Sequence, residues 1–149
     1  MYTERSAGII IVRVERELPL FLLLRRKDGK WDFCQGRTRP FESRLQAALR
    51  ELKEETGIPR EAVVLDPEFR HTIYYISHKT KAPKAKAVCY FLGTTSMAEV
   101  KLNLAEHSEF RWADMHEALV TVPFLVGPGG DLGSGRRDRG IKPGGLRPA

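Results

Sequence analysis

Gly36-Arg37-Thr38-Arg39-Pro40-Phe41-Glu42-Ser43-Arg44-Leu45-Gln46-Ala47-Ala48-Leu49-Arg50-Glu51-Leu52-Lys53-Glu54-Glu55-Thr56-Gly57-Ile58 reads as a loop running into a helix with both ends marked. Ser43 supplies an N-cap, and Gln46 three residues on completes a capping box. Gly57 suits the left-handed residue that stops a helix, and Pro59 follows it closely. Leu45, Ala48, Leu49, Leu52 and Thr56 recur at helical spacing and form a stripe fit to pack on a core. Glu51, Glu54 and Glu55 stand at i, i+3 and i+4, so their carboxylates share a neighbouring face. Ala47 falls on that face and is expected to leave room for a ligand.

Three like charges on one arc repel, by about 0.2–0.5 kcal/mol for each close pair. Arg50 reaches Glu54 one turn on, but one guanidinium does not neutralise three carboxylates. A hard divalent cation does. Mg²⁺ takes oxygen from one or two carboxylates, keeps several waters and reaches out to substrate phosphates. The alternative for an isolated Glu-x-x-Glu-Glu is a solvated acidic face.

The wider spacing decides between them. Gly36, five residues, Glu42, seven residues, then Arg50-Glu51-Leu52-x-Glu54-Glu55-x-Gly57-Ile58 resembles the Nudix hydrolase box, with every defining position filled. The flanks are most similar to the dinucleoside tetraphosphate (Ap4A) hydrolase branch of that family. The resemblance implies an α/β fold, the Nudix α/β/α sandwich with a mixed β-sheet between helices. It implies a pyrophosphohydrolase acting on a nucleoside diphosphate linked to a further group, with Mg²⁺ as cofactor or Mn²⁺ in its place. Glu51, Glu54, Glu55 and Gly36 become the metal-site candidates. Arg50 orients the glutamates, Glu42 supports the loop or a second metal, and Gly57 is structural. The loop departs from the family pattern: Cys34 and Gln35 replace the usual Pro-Lys, and Phe41 replaces a second glycine. Arg37 and Arg39 add positive charge there, either to grip phosphates or simply as solvated loop residues.

Outward from the box, Gly8–Val12 and Leu20–Leu24 read as buried strands, and Trp31–Cys34 as a short strand delivering the chain to Gly36. Beyond the helix, Glu61–Leu65, Phe69–Ser77 and Ala87–Leu92 read as strands. The basic loop His78–Lys86 joins the last two. This hairpin resembles the branch's substrate hairpin, in which a tyrosine stacks on a base and a lysine meets the phosphate chain. Tyr75 and Lys86 are the candidates by position, and Lys84 joins them through the clustering of lysines; a half-buried sheet tyrosine and solvated lysines are the competing reading. Glu106-His107-x-x-Phe110-Arg111-Trp112 resembles the segment in which a loop glutamate reaches the metal site, so Glu106 becomes a ligand or base. The catalytic set is then Glu54, Glu106 and Arg50, with the base either Glu54 or Glu106. His107 reads as structural or solvated. Asp114 caps another helix, with Glu117 at the box position.

Composition bounds the rest. With 149 residues and 42% hydrophobic content, the chain has enough material for one domain with a real core. A net charge of +6 and a pI near 9.5 favour polyanions. Small-molecule nucleotides are the expected partners, and a nucleic acid is the less favoured one. Two cysteines make no disulfide framework and read as core residues. The N-terminus is no signal peptide, and no apolar run is long enough to span a bilayer, so a cytoplasmic protein is expected, without a membrane partner. Monomer and homodimer stay open. The Nudix domain is expected over 1–126. Residues 127–149 hold 8 of the 13 glycines and read as a disordered Gly/Arg/Pro-rich tail. Other Nudix substrates (ADP-ribose, oxidised dNTP, RNA 5′-pyrophosphate) and a non-catalytic nucleotide- or RNA-binding module are the rival functions.

Overall fold

The computed structural model describes residues 3–78 and 81–122. In chain order the elements are β1 (Thr3–Glu15), β2 (Leu18–Arg26), β3 (Trp31–Asp32), β4 (Cys34–Arg37), α1 (Arg44–Thr56), β5 (Val64–Leu65), β6 (His71–Ser77), β7 (Lys84–Thr94), β8 (His107–Ala113) and α2 (Met115–Thr121). One mixed sheet takes in all eight strands, and β1 is its axis. One edge of β1 pairs in parallel with β7, from Thr3 opposite Ala85 to Val12 opposite Thr94. The other edge is shared. β4 lies antiparallel to Ser6–Ile9, and β2 lies antiparallel to Val12–Glu15. β3 and β8 add to β2, while β5 and β6 add to β7.

A strand paired on both edges and covered on both faces must be apolar throughout, which is why Ile9-Ile10-Ile11-Val12 shows no alternation. The pleat still divides it. Ile9 and Ile11 pack with Leu22, Leu24, Cys34, Leu49, Leu52 and Phe91 beneath α1. Ile10 and Val12 face the other way, into a cluster with Phe21, Leu23, Tyr90, Leu92 and Ala118 of α2. The result is the expected α/β/α sandwich. Both cysteines are free and buried.

Helix α1 has the expected ends. Ser43 accepts from the Gln46 amide at 3.0 Å, and the Gln46 side chain accepts from the Ser43 amide at 2.8 Å. Gly57 is left-handed, with φ of 75°, and its N–H closes on the Lys53 carbonyl. Ala47 departs from expectation: it is fully buried in the core under α1, so its small side chain lets the helix approach the sheet rather than a ligand approach the helix.

Three boundaries also differ. Glu61–Leu65 is not a continuous strand: a 3₁₀ turn occupies Arg60–Ala62, and only Val64 and Leu65 pair. Pro59 pre-sets the turn by fixing its own φ. The strand expected from Phe69 begins at His71. Trp31–Cys34 is split at Phe33, whose amide turns back to the Asp32 carboxylate at 2.6 Å instead of joining the ladder. β3 therefore stays with β2 while β4 crosses to β1. The segment read as a tail, 127–149, lies outside the described residues, as do Lys79 and Thr80 of the basic loop.

Candidate active site

Helix α1 packs its apolar stripe on β1, which sets Glu51 of its acidic face against Gly36 of β4. The fit is close: a Cβ on Gly36 would stand inside the Glu51 carboxylate. A larger residue there would displace the Glu51 carboxylate, so glycine is favoured by that approach, not by its own backbone angles. Gly36, Arg37, Glu51, Glu54, Glu55 and Glu106 line one cavity of about 580 Å³. A second cavity of about 720 Å³ is lined by Glu4, Gly36, Arg37, Tyr75, Lys86 and Glu106 among others. The two share Arg26, Gln35, Gly36, Arg37 and Glu106, so they form one cleft with an acidic end and an aromatic, basic end.

Arg50 is the hub beneath the acidic end. Its Nε donates to Glu42 at 2.7 Å, and its Nη2 to Glu42 at 3.0 Å and to the Arg37 carbonyl at 2.9 Å. Its Nη1 donates to Glu51 at 2.8 Å and to Glu54 at 3.3 Å. Glu42 also accepts from the Arg39 amide at 3.0 Å. Hydrogen bonds from Arg50 hold the Glu42 carboxyl down, at about 2, and the same pairing pushes the guanidinium further up. Glu42 and Arg50 line neither cavity; they fasten the loop to the helix and fix Glu51 in place.

Glu106 arrives from elsewhere in the chain. The Lys101 amide donates to the Thr56 carbonyl and the Asn103 amide to the Glu55 carbonyl, clamping the incoming segment onto the end of α1. The Asn103 carbonyl then accepts from both Glu106 and His107 amides, at 3.1 and 3.0 Å. This turn sets Glu106 on the cleft and brings the His107 Nδ1 to 2.7 Å from Glu55. Burial raises the Glu55 carboxyl above its ordinary range; His107 opposes the rise, and Glu51 and Glu106 add to it.

Among the described residues, no three acidic, histidine or cysteine side chains are drawn together tightly enough to grip a metal ion as they stand. The reason is visible: Arg50 occupies Glu51 and Glu54, Arg39 approaches Glu54 at 3.6 Å, and His107 occupies Glu55. The donor set nevertheless fits a hard cation. Six carboxylates line one cavity, Glu51, Glu54, Glu55 and Glu106 among them, and Mg²⁺ needs only one or two of them besides water.

At the other end, Tyr75 sits opposite Lys86 in the β6–β7 register. Glu4 of β1 accepts from Arg37 at 2.9 Å and pairs with Lys86 at 3.3 Å, so one carboxylate holds both cations at the cleft. Burial works against ionisation of Glu4, yet Lys86 and Arg37 together keep its carboxyl below the ordinary value. Lys84 lies at the outer end of β7 opposite Ser77 and is not a lining residue of either cavity. Tyr74 is largely exposed.

Sequence reasoning missed Glu4, Arg26, Asp32 and Asn103, and it gave His107 no role. Asn103 carried a signal, an Asn three residues before the singled-out Glu106, where turn chemistry places such residues. The others carried none, because each reaches the cleft through strand pairing.

The fold and the cleft define a Nudix-type architecture, and the comparisons agree. The NUDIX domain family matches residues 3–128, and the chain belongs to that family as a Nudix pyrophosphohydrolase. It is 34% identical over 129 residues to the rat asymmetrical bis(5′-nucleosyl)-tetraphosphatase, covering 80% of this chain and 85% of that protein. The crystal structure of a Caenorhabditis elegans Ap4A hydrolase binary complex superposes with a TM-score of 0.74 at 28% identity, covering 80% of this chain and 86% of the other. An African swine fever virus mRNA-decapping protein is 32% identical over 116 residues, though this chain matches only 45% of its length. No helix among the described residues is long and apolar enough to cross a membrane.

Proposed function

We propose that the chain hydrolyses dinucleoside tetraphosphates asymmetrically with Mg²⁺, converting Ap4A and water to ATP and AMP. The observation that carries this reading is the single cleft that joins the glutamate wall to the Tyr75–Lys86 wall. A long, charged phosphate chain with a base at its end needs both. Similarity to a tetraphosphatase along most of both chains supports the same reading.

Nudix hydrolases generally use divalent metals. Glu51, Glu54 and Glu55 would hold Mg²⁺, which would supply countercharge for the phosphates and acidify a bound water. Glu54 or Glu106 takes the proton from that water as its oxygen bonds to phosphorus and the anhydride P–O bond breaks. Arg50 keeps Glu51 oriented through the reaction, and Glu42 keeps Arg50 in place. Arg37 and Lys86 steady the phosphate chain, while Tyr75 stacks on the base. Most of the work asked of the protein is positioning and charge.

The test is a panel with Mg²⁺: diadenosine tetraphosphate, ADP-ribose, oxidised dGTP and 5′-triphosphate RNA, with products separated by chromatography. The tetraphosphate gives the highest kcat/KM, splitting into ATP and AMP. Two ADP as products, or preference for another substrate, overturns the substrate and leaves the Nudix chemistry. RNA 5′-end hydrolysis is the second reading, favoured by the viral decapping relative and the basic net charge.

A further inference from the structure

Asp32 ends β3 with only 6% of its surface exposed, yet it lines the cleft. Its hydrogen bonds come from neutral donors. Oδ1 accepts from the Phe33 amide at 2.6 Å and from the Tyr90 hydroxyl at 3.0 Å, which fills both lone pairs. Oδ2 accepts only from the Gln35 side-chain amide at 3.3 Å, leaving one acceptor position. A buried carboxylate costs several kcal/mol unless it is well partnered, so one held this way in a cavity wall is there to meet something.

What it meets follows from the neighbouring space. A small pocket of about 260 Å³ opens off the cleft between β3 and the β6–β7 hairpin, with Asp32, Gln35, Arg26 and Lys30 as polar lining. Its walls are Ile73, Tyr74, Tyr75, Val88 and Tyr90. Flat apolar and aromatic walls with one polar edge suit a heteroaromatic ring. Gln35 and Arg26 belong to this pocket and to the cleft, so a ring seated here hands its attached phosphates to the glutamate wall.

We propose that Asp32 is a specificity residue for the nucleobase, its Oδ2 accepting an N–H from the six-membered edge of a purine stacked on Tyr75. An ionised carboxylate accepts and never donates. The ligand is therefore a purine with an N–H on that edge, such as the 6-amino group of adenine, and Gln35 positions the carboxylate. This rests on the tetraphosphate reading for the substrate but concerns only the base.

The experiment compares Ap4A with its analogue carrying unsubstituted purine in place of adenine, which offers no N–H on the ring edge. The wild-type chain prefers Ap4A in kcat/KM by about tenfold or more, the scale of a lost hydrogen bond to a charged group, with the loss in KM. Asp32→Asn keeps the Oδ1 acceptor for Phe33 and Tyr90 but turns an NH₂ toward the pocket. It abolishes the preference by weakening Ap4A alone. A wild-type preference near unity overturns the inference, as does an Asp32→Asn loss that is equal for both substrates. Should the variant not fold, the wild-type ratio decides by itself. Should the wild type turn over neither substrate, the tetraphosphate reading fails. Calorimetric affinities of adenosine and purine-riboside 5′-tetraphosphates then decide this inference, equal affinities overturning it.

Discussion

The two walls of the cleft are built differently. The acidic wall comes from consecutive turns of one helix, with Glu106 added by a turn clamped to that helix's end. The aromatic and basic wall is gathered from six strands, β1, β2, β3, β4, β6 and β7. A helix fixes which of its residues are neighbours through spacing alone. A sheet fixes neighbours only once register and strand order are set. The first wall tolerates little change in residue type, because charge must be delivered to one place. The second offers stacking and single hydrogen bonds that add up. Hence a division of labour is expected, with chemistry on the helix and affinity on the sheet.

The sharpest test of that division is Glu54→Gln. Turnover falls by about 10²–10⁴ at saturating Mg²⁺, the range for loss of an acid–base group. The fold is kept, since the pairs of Glu54 with Arg50 and Arg39 are partly exposed. Near-normal kcat would remove Glu54 from the chemistry.

Asp32 gives the next largest effect, and it lies on stability. Burial raises its carboxyl from 3.8 to about 6, against the hydrogen bonds from Tyr90, Gln35 and Phe33. The folded state thus holds this proton to higher pH than the unfolded one. Its favourable contribution is complete below pH about 4 and is lost as pH rises through about 6, leaving a cost of roughly 3 kcal/mol at pH 7. Asn carries no such charge. Urea unfolding of Asp32→Asn against wild type gives a stability difference that moves in favour of the variant by that amount between pH 4 and 7. A flat difference would mean the carboxylate is not desolvated.

Tyr75→Ala comes third. Loss of a base stack costs about 1–3 kcal/mol, and steady-state kinetics place it in KM with Tyr75→Phe close to wild type. A fall confined to kcat would erase the contrast between the walls.

The smallest effect concerns the loop between them. Phe41 stands where the family's second loop glycine is replaced, and it keeps the left-handed backbone, φ of 66°, with its ring fully exposed. A left-handed non-glycine residue costs about 1–2 kcal/mol, part of which glycine returns to the unfolded chain as entropy. Phe41→Gly therefore stabilises by about 1 kcal/mol, read as a rise in Tm. No rise would mean the ring packs on something in solution.

Much of the molecule was legible beforehand. Helix α1, its Ser43–Gln46 box, its Gly57 stop, the buried strands and the second cap at Asp114 follow from spacing and residue type, since each is settled within a few residues of chain. Glu51, Glu54, Glu55 and Glu106 were legible through the family pattern, and the structure brings all four to one cavity. Ala47 was misread because periodicity alone does not say how close a helix sits to its sheet. Lys84 was named from clustering in sequence, but a strand spreads its residues along its length, and Lys84 ends up away from the cleft. Glu4, Arg26 and Asp32 had no local signature at all.

By itself, then, the sequence determined the box helix, its carboxylate face and the order of the elements around it, because hydrogen bonds within a helix and caps at its ends are short-range interactions. Only the tertiary structure decided that Glu4 would hold Arg37 and Lys86, that His107 would meet Glu55, and that Asp32 would be buried beside Tyr75. Those contacts join residues on different elements, strand to strand or, for His107 and Glu55, β8 to helix α1. The contacts of Glu4 and Asp32 are set by the parallel register of β1 on β7 and by the break at Phe33 that sends β4 across the sheet, and that of His107 by the Asn103 turn clamped to the end of α1.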